Sequence, residues 1–130
     1  MHKKVVLITG GSRGIGAATA LQAAAKGWDV VIGFNSDQKA ADAVIAQITE
    51  MGRHAMAVQA DIGCEDQIRR LFAVVDVRFG QLNAFVNNAG IVDSATTVAE
   101  LTGERLERMF RINVLGSFYC AREAVRRMST

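Results

Sequence analysis

Apolar runs of strand length alternate with stretches of helical period along this chain. Residues 4–9 read KVVLIT, with no polar alternation, which predicts a strand buried on both faces. Residues 14–26 are rich in alanine and predict a helix that Gly27 stops. Val30-Val31-Ile32-Gly33-Phe34 predicts a second strand. Asn35, Ser36 and Asp37 are cap-type residues for a helix reaching about Met51, with Ala41, Val44, Ile45 and Ile48 on one face and Gly52 as its stop. Residues 55–60 predict a third strand, and residues 64–79 an amphipathic helix striped by Ile68, Leu71, Phe72, Val75 and Phe79. Residues 82–87 predict a fourth strand. A last helix runs from near Thr102 to about Met128, with room for a break. Its expected apolar stripe is Leu106, Phe110, Val114, Phe118, Ala121 and Val125.

The order β-α-β-α-β-α-β-α implies a parallel sheet with helices on both faces. The expected class is α/β: a Rossmann-type doubly wound parallel sheet, incomplete, with about four strands and four helices of the usual set. Residues 1–130 are read as a single domain, truncated before a fifth strand.

Composition narrows the partners. A chain of 130 residues, 50% hydrophobic and 22% charged, suits one globular domain. Fifteen basic against thirteen acidic side chains leave +2, scattered along the chain, so no nucleic-acid surface is expected. No apolar run approaches the roughly 18 residues of a membrane span. No signal peptide is expected either, because the first apolar run is short and ends at glycines without a cleavage site. Cys64 and Cys120 lack any paired spacing, which favours reduced thiols and a cytoplasmic location. His2 and His54 have no metal-ligand spacing.

The candidate chemistry begins at TGGSRGIG, Thr9 to Gly16, between the first strand and its helix. That turn is where a pyrophosphate binds in such a sheet. Gly10 and Gly11 are expected to allow a tight reversal with φ > 0. Gly14 lets phosphate oxygens approach the backbone, and Gly16 lets the helix lie close to the sheet. The free N–H groups and the positive helix end then face the anion.

TGGSRGIG resembles the T-G-x-x-x-G-x-G signature of the short-chain dehydrogenase/reductase family. Asn87-Asn88-Ala89-Gly90 resembles its N-N-A-G signature, and Asn113-Val114-Leu115-Gly116 its Asn-Val-x-Gly. Asp61-Ile62 resembles the family's adenine-contacting aspartate and its neighbour. The resemblance covers nearly the whole chain. It implies a cofactor site formed by Gly10, Ser12, Arg13, Gly14, Ile15 and Gly16, with Asp61 accepting from the adenine amino group beside the Ile62 backbone. It implies also that Asn87 and Asn88 hold the sheet together and shape the ribose site, and that Ala89 and Gly90 are small because the cofactor passes over them. Ile91 and Val92, in a stretch resembling the active-site rim, would lie near the nicotinamide.

In NAD-binding folds of this kind an acid ends the second strand and accepts from the ribose 2′-OH. Phe34 holds that place here, and Asp37, three residues later, is better explained as a helix cap. In similar reductases a base at the position of Arg13 faces the 2′-phosphate of NADP; a guanidinium suits that anion. Asn35 and Ser36 add neutral donors. NADP is therefore expected ahead of NAD.

Asn113 stands seven residues after Leu106, on the inward side of the expected stripe. A polar amide there is either a satisfied core residue or part of a site. The resemblance implies the second: a catalytic asparagine that perturbs its helix and holds a water in a proton relay, acting with a serine, a tyrosine and a lysine. The family's Tyr-x-x-x-Lys does not occur in this sequence. Tyr119, the one tyrosine, has Glu123 where the lysine is needed and is read as packing. The chain alone is thus expected to be inactive, with the remaining catalytic groups in a missing C-terminal half. The implied activity is hydride transfer between NADP(H) and a small-molecule carbonyl or secondary alcohol. The alternatives are a non-catalytic NADP-binding module and a half-domain that completes a partner chain. The resemblance further implies a homodimer or homotetramer packed through the last two helices. Arg122, Arg126 and Arg127 would either line that interface or solvate the helix end.

Overall fold

The computed structural model describes residues 3–91 and 96–128. The expected Val92 contact lies outside the described residues. The elements are β1 (Val5–Thr9), α1 (Gly14–Ala25), β2 (Asp29–Phe34), α2 (Gln38–Glu50), β3 (Ala55–Gln59), α3 (Glu65–Phe79), β4 (Ala84–Val86), α4 (Gly103–Phe110) and α5 (Gly116–Met128). A short 3-10 turn at Val98–Glu100 precedes α4. All strand pairs are parallel, in the order β3-β2-β1-β4. The doubly wound sheet is therefore present, and β1 is its centre.

Every residue of β1 and β2 is buried. Alternate side chains enter two separate cores. Val5, Leu7 and Val31 meet Ile68, Leu71, Phe72 and Val75 of α3 and Cys120 and Ala124 of α5. Val6, Ile8, Val30 and Ile32 meet Ala20 and Ala24 of α1 and Ala41, Val44 and Ile48 of α2. An all-apolar strand covered by helices on both faces explains the missing polar alternation.

The fourth strand is shorter than residues 82–87, because side chains replace the ladder at both ends. Val5 N donates to Asn83 Oδ1 at 2.8 Å, and Asn83 N donates to Val5 O at 2.9 Å. Past Val86, the N–H groups of Asn88 and Ala89 each donate to Thr9 Oγ1 at 3.1 Å.

The last helix, expected as one run with room for a break, is divided into α4 and α5. Thr102 caps α4 by accepting from Arg105 N at 3.2 Å. A π-helical segment, Arg111–Leu115, then joins α4 to α5. The expected apolar stripe does not face the core: Phe110, Phe118 and Val125 are 61%, 72% and 62% exposed. The buried positions are instead Ile112, Gly116, Cys120, Glu123 and Ala124. Small residues decide this. A Cβ on Gly116 would stand 2.5 Å from both Ile62 Cγ2 and Ile62 O, so the helix approaches more closely than large side chains allow.

Arg122 and Arg127 turn toward α3. Arg122 pairs with Glu65, and Arg127 Nε lies 2.9 Å from Asp76 Oδ1. Buried Glu123 accepts from Arg122, Arg126 and Arg127. Burial pushes its carboxyl up, but the Arg127 and Arg122 hydrogen bonds and the Arg126 charge bring it below the ordinary carboxylate value.

Candidate functional site

The turn after β1 uses each glycine differently. Gly10 and Gly14 have φ of 65° and 61°, in the left-handed region that favours glycine. Gly11 does not: the expected positive φ is absent. Its requirement is room, since a Cβ there would lie 2.5 Å from Ile32 Cγ2. A Cβ on Gly16 would lie 2.1 Å from Gly10 O and 2.7 Å from Asn88 Nδ2, so α1 meets the turn backbone to backbone. At Gly14 a Cβ would meet nothing within 4 Å. Arg13 is the N-cap of α1, in extended conformation, and its side chain makes no capping bond. The first-turn N–H groups of α1 have no acceptors within the helix.

The turn is tied to β4 through two residues. Thr9, fully buried, receives the N–H groups of Asn88 and Ala89 on its hydroxyl. Asn88 Nδ2 donates to Gly10 O at 3.1 Å.

A cleft of about 420 Å³ opens at the C-terminal ends of the four strands. The β1 turn contributes Gly10, Ser12 and Arg13; the segment after β2 contributes Asn35, Ser36 and Asp37. Ala60, Asp61 and Ile62 follow β3, and Asn88, Ala89, Gly90 and Ile91 follow β4. Arg108 of α4 and Ile112 of the π segment complete the wall. Arg13 Nη1 stands 3.9 Å from Asp37 Oδ2, with side chains 78% and 39% exposed, so the pair is weak.

Asp61 is held by its own loop. Its Oδ1 accepts from Gly63 N at 2.9 Å, and its N–H donates to Gln67 Oε1 at 2.7 Å. Its other carboxylate oxygen has no hydrogen bond among the described residues.

Asn113 lies inside the π segment, half-buried. Ile91 N donates to its Oδ1 at 2.7 Å, and its Nδ2 donates to Ile91 O at 2.8 Å. A Cβ on Gly90 would come within 3.1 Å of that Oδ1.

Thus the cleft gathers Gly10, Ser12, Arg13, Asn35, Ser36, Asp61, Ile62, Ala89 and Gly90 from the expected set. Gly14, Ile15, Gly16, Asn87 and Asn113 stand outside its lining. Ile15 is 77% exposed at the start of α1. Asn87 is exposed and donates to Ser117 O of α5 at 3.0 Å.

The sequence model of the family described as short chain dehydrogenase matches residues 4–130. The chain belongs to the short-chain dehydrogenase/reductase family. Among its relatives, the uncharacterized oxidoreductase YgfF of Escherichia coli (strain K12) is 46% identical over 125 residues, 96% of this chain and 51% of YgfF. A short-chain dehydrogenase from Burkholderia cenocepacia J2315, solved in complex with NADP, superimposes with a TM-score of 0.93 at 38% identity. The match covers 98% of this chain and 51% of that one. An NAD+-bound xylitol dehydrogenase gives a TM-score of 0.91 at 28% identity, covering 98% and 48%. The chain therefore spans about half the length of the family members it matches.

Within this short-chain dehydrogenase/reductase chain, the cleft also takes Gly33, Asp37, Ala60, Arg108 and Ile112, which were not expected in the site. Asn88, expected with Asn87 to hold the sheet together and shape the ribose site, lines the cleft and ties the β1 turn to the end of β4. Ile112 directly precedes Asn113. Arg108 has no motif; it shares the cleft wall because it lies one helical turn before Ile112.

Proposed function

We propose that this chain forms the adenine side of an NADP(H) site in an oxidoreductase acting on a small-molecule carbonyl or secondary alcohol. The observation that carries the reading is the cleft at the strand ends, with the glycine turn, Arg13 and Asp61 on its walls. The residues fit the cofactor. Gly14 leaves open space beside a left-handed backbone, the first turn of α1 offers N–H groups that have no partner within the helix, and Arg13 is a well-exposed guanidinium. Gly10, Ser12, Gly14, Ile15 and Gly16 would hold the diphosphate. Arg13, Asn35 and Ser36 would receive the 2′-phosphate, and Asp61 and Ile62 the adenine. Asn87, Ala89 and Gly90 would border the ribose. The bound cofactor supplies or accepts the hydride. Asn113 is the catalytic residue of this chain in the proposal; its pairing with Ile91 supports a role in positioning the loop after β4. The tyrosine that exchanges the proton and the lysine that lowers its pKa would be supplied from outside these 130 residues, so this chain alone is expected to have no turnover.

Two surfaces support the assembly side of the reading. Phe85, Ala121, Ala124, Val125 and Met128 line an apolar groove of about 370 Å³ beside β4, suited to cover by the rest of the protein. Exposed Phe110 and Phe118 on α4 and α5 suit packing against a second copy, as a homodimer or homotetramer. A cytoplasmic location belongs to the same proposal and rests on the unpaired spacing of Cys64 and Cys120.

Titration of the complete, natively purified protein with NADPH and NADH tests the cofactor reading. NADPH is expected to bind the more tightly, with Arg13→Ala weakening NADPH by about tenfold and NADH little. No binding of either nucleotide at millimolar concentration would overturn it.

A further inference from the structure

We infer that Asp37 is a specificity-determining residue that opposes Arg13, weakening the 2′-phosphate contact and favouring a free 2′-hydroxyl. The inference rests on the reading of the cleft as an NADP(H) site. Two carboxylates line that cleft, Asp37 and Asp61. Asp37 is the one beside Arg13, with Oδ2 at 3.9 Å from Nη1.

Asp37 cannot simply turn away. Its Oδ1 accepts from Ala40 N at 3.0 Å and caps α2, so the carboxylate is anchored by one oxygen while the other faces the guanidinium. The segment that carries it is braced as well. Gln59 Nε2 donates to Asn35 O at 3.0 Å, and Gln38 N donates to Ser36 O at 3.1 Å. The negative charge is therefore fixed in place before any ligand arrives.

Geometry then sets a bound. A phosphate oxygen hydrogen-bonded to Arg13 Nη1 sits about 2.9 Å from it. Given the 3.9 Å separation of Nη1 and Oδ2, that oxygen lies within about 7 Å of the Asp37 carboxylate. A 2′-phosphate carries up to two negative charges, so it is attracted by Arg13 in direct contact and repelled by Asp37 from no farther than about 7 Å. A 2′-hydroxyl is neutral and can donate to a carboxylate, so it escapes the repulsion that the phosphate meets at Asp37. The two residues act as opposed determinants in one site. The discrimination between the cofactors is accordingly smaller than a lone guanidinium would give.

The cap separates charge from structure. Asparagine and serine cap helices about as well as aspartate, so Asp37→Asn and Asp37→Ser remove the charge and keep α2. Dissociation constants for NADPH, NADH and 2′,5′-ADP are measured on the complete, natively purified protein. Both variants are expected to bind NADPH and 2′,5′-ADP about three- to tenfold more tightly than the unmodified protein, with NADH unchanged or weaker. The gain is expected to shrink as NaCl rises from about 0.05 to about 0.5 M, which a purely structural effect would not show. If the unmodified protein binds NADPH but the NADPH-to-NADH affinity ratio is unchanged or lower in both variants, the opposition of Asp37 is overturned and the cofactor reading stands. If it binds neither nucleotide, both fall together.

Discussion

The side-chain amide of Asn113 is paired in both directions with the backbone of Ile91, accepting from its N–H at 2.7 Å and donating to its carbonyl at 2.8 Å. One side chain thus does for Ile91 what a neighbouring strand would do. It joins the π segment before α5 to the chain leaving β4, where Gly90 and Ile91 line the cleft. Replacing Asn113 by leucine leaves both backbone groups without their partner. The expected loss is about 1–3 kcal/mol of unfolding free energy, read by urea denaturation. Asn113→Asp is expected to lose less, since it keeps the acceptor for Ile91 N. Equal stability of all three proteins would show that the pairing contributes nothing.

The Thr9 hydroxyl poses a similar question in a drier place. It is fully buried and accepts two N–H groups, from Asn88 and Ala89. Thr9→Val is nearly the same shape but leaves both donors unsatisfied, and is expected to cost about 2–4 kcal/mol. Thr9→Ser keeps the oxygen and is expected to cost under about 1 kcal/mol. A valine protein as stable as the serine one would remove Thr9 from its role as the clamp between β1 and β4.

Gly16 and Gly14 separate room from backbone conformation. Gly16→Ala puts a methyl 2.1 Å from Gly10 O, so the turn must move, and nucleotide binding is expected to disappear. Gly14→Ala meets no protein atom but keeps φ near 61°; it is expected to cost about 1 kcal/mol through strain, and its methyl enters the space proposed for the phosphate, so nucleotide binding is expected to weaken without disappearing. Calorimetric titration with NADPH ranks the two; equal affinities would contradict the difference in crowding.

These cases show which features were legible in the residue pattern. β1 and β2 could be read directly, because an unbroken apolar run has one economical place, the middle of a covered sheet. The stripe of α3 was legible too: Ile68, Leu71, Phe72 and Val75 are buried and Phe79 packs half-buried against their cluster, while Val77, off the stripe, is exposed. On α5 the same logic failed. Its inner face is made of Gly116, Cys120 and Ala124, whose smallness allows close approach, while the bulky Phe118 and Val125 face outward. The π segment compounds the error, because it alters the helical register between Phe110 and Gly116. The glycine turn was legible as a cradle, but not the reason for each glycine: Gly11 serves packing against Ile32 and Gly10 serves φ. Arg108 carried no signal, since it stands in no motif and reaches the cleft only because α4 leads into Ile112 of the π segment on the same wall.

The two cysteines are expected to react very differently. Cys120 is fully buried, and burial, with the nearby Glu123 charge, pushes its thiol up to about 12. Cys64 is half-buried at the start of α3. Alkylation of the folded protein near pH 8, followed by peptide mass mapping, is expected to label Cys64 and spare Cys120 by at least about tenfold. Comparable labelling of both would mean that the core between α3 and α5 opens far more readily than its packing indicates.

Glu123 makes stability depend on acid in a defined direction. The carboxylate is buried and accepts from Arg126 at 3.0 Å, Arg127 at 3.2 Å and Arg122 at 3.3 Å. Burial alone would raise its pKa, yet the guanidiniums prevail and hold it below its ordinary 4.5. A folded value below the unfolded one means that the folded protein resists protonation there. The stabilisation is therefore fully present above about pH 4.5 and is lost as pH falls through the folded value. Glu123→Gln removes the charge while keeping the shape. At pH 7 it is expected to lower unfolding free energy by about 1–3 kcal/mol, since the arginines are partly exposed and solvent screens them. As pH falls from about 4.5 through the folded value the gap between the two proteins is expected to close, because the unfolded chain takes up the proton first and the native glutamate after it. Denaturation curves taken from pH 7 down to about pH 3 measure that gap. A gap that stays constant across the range would mean that Glu123 contributes through packing and not through its charge.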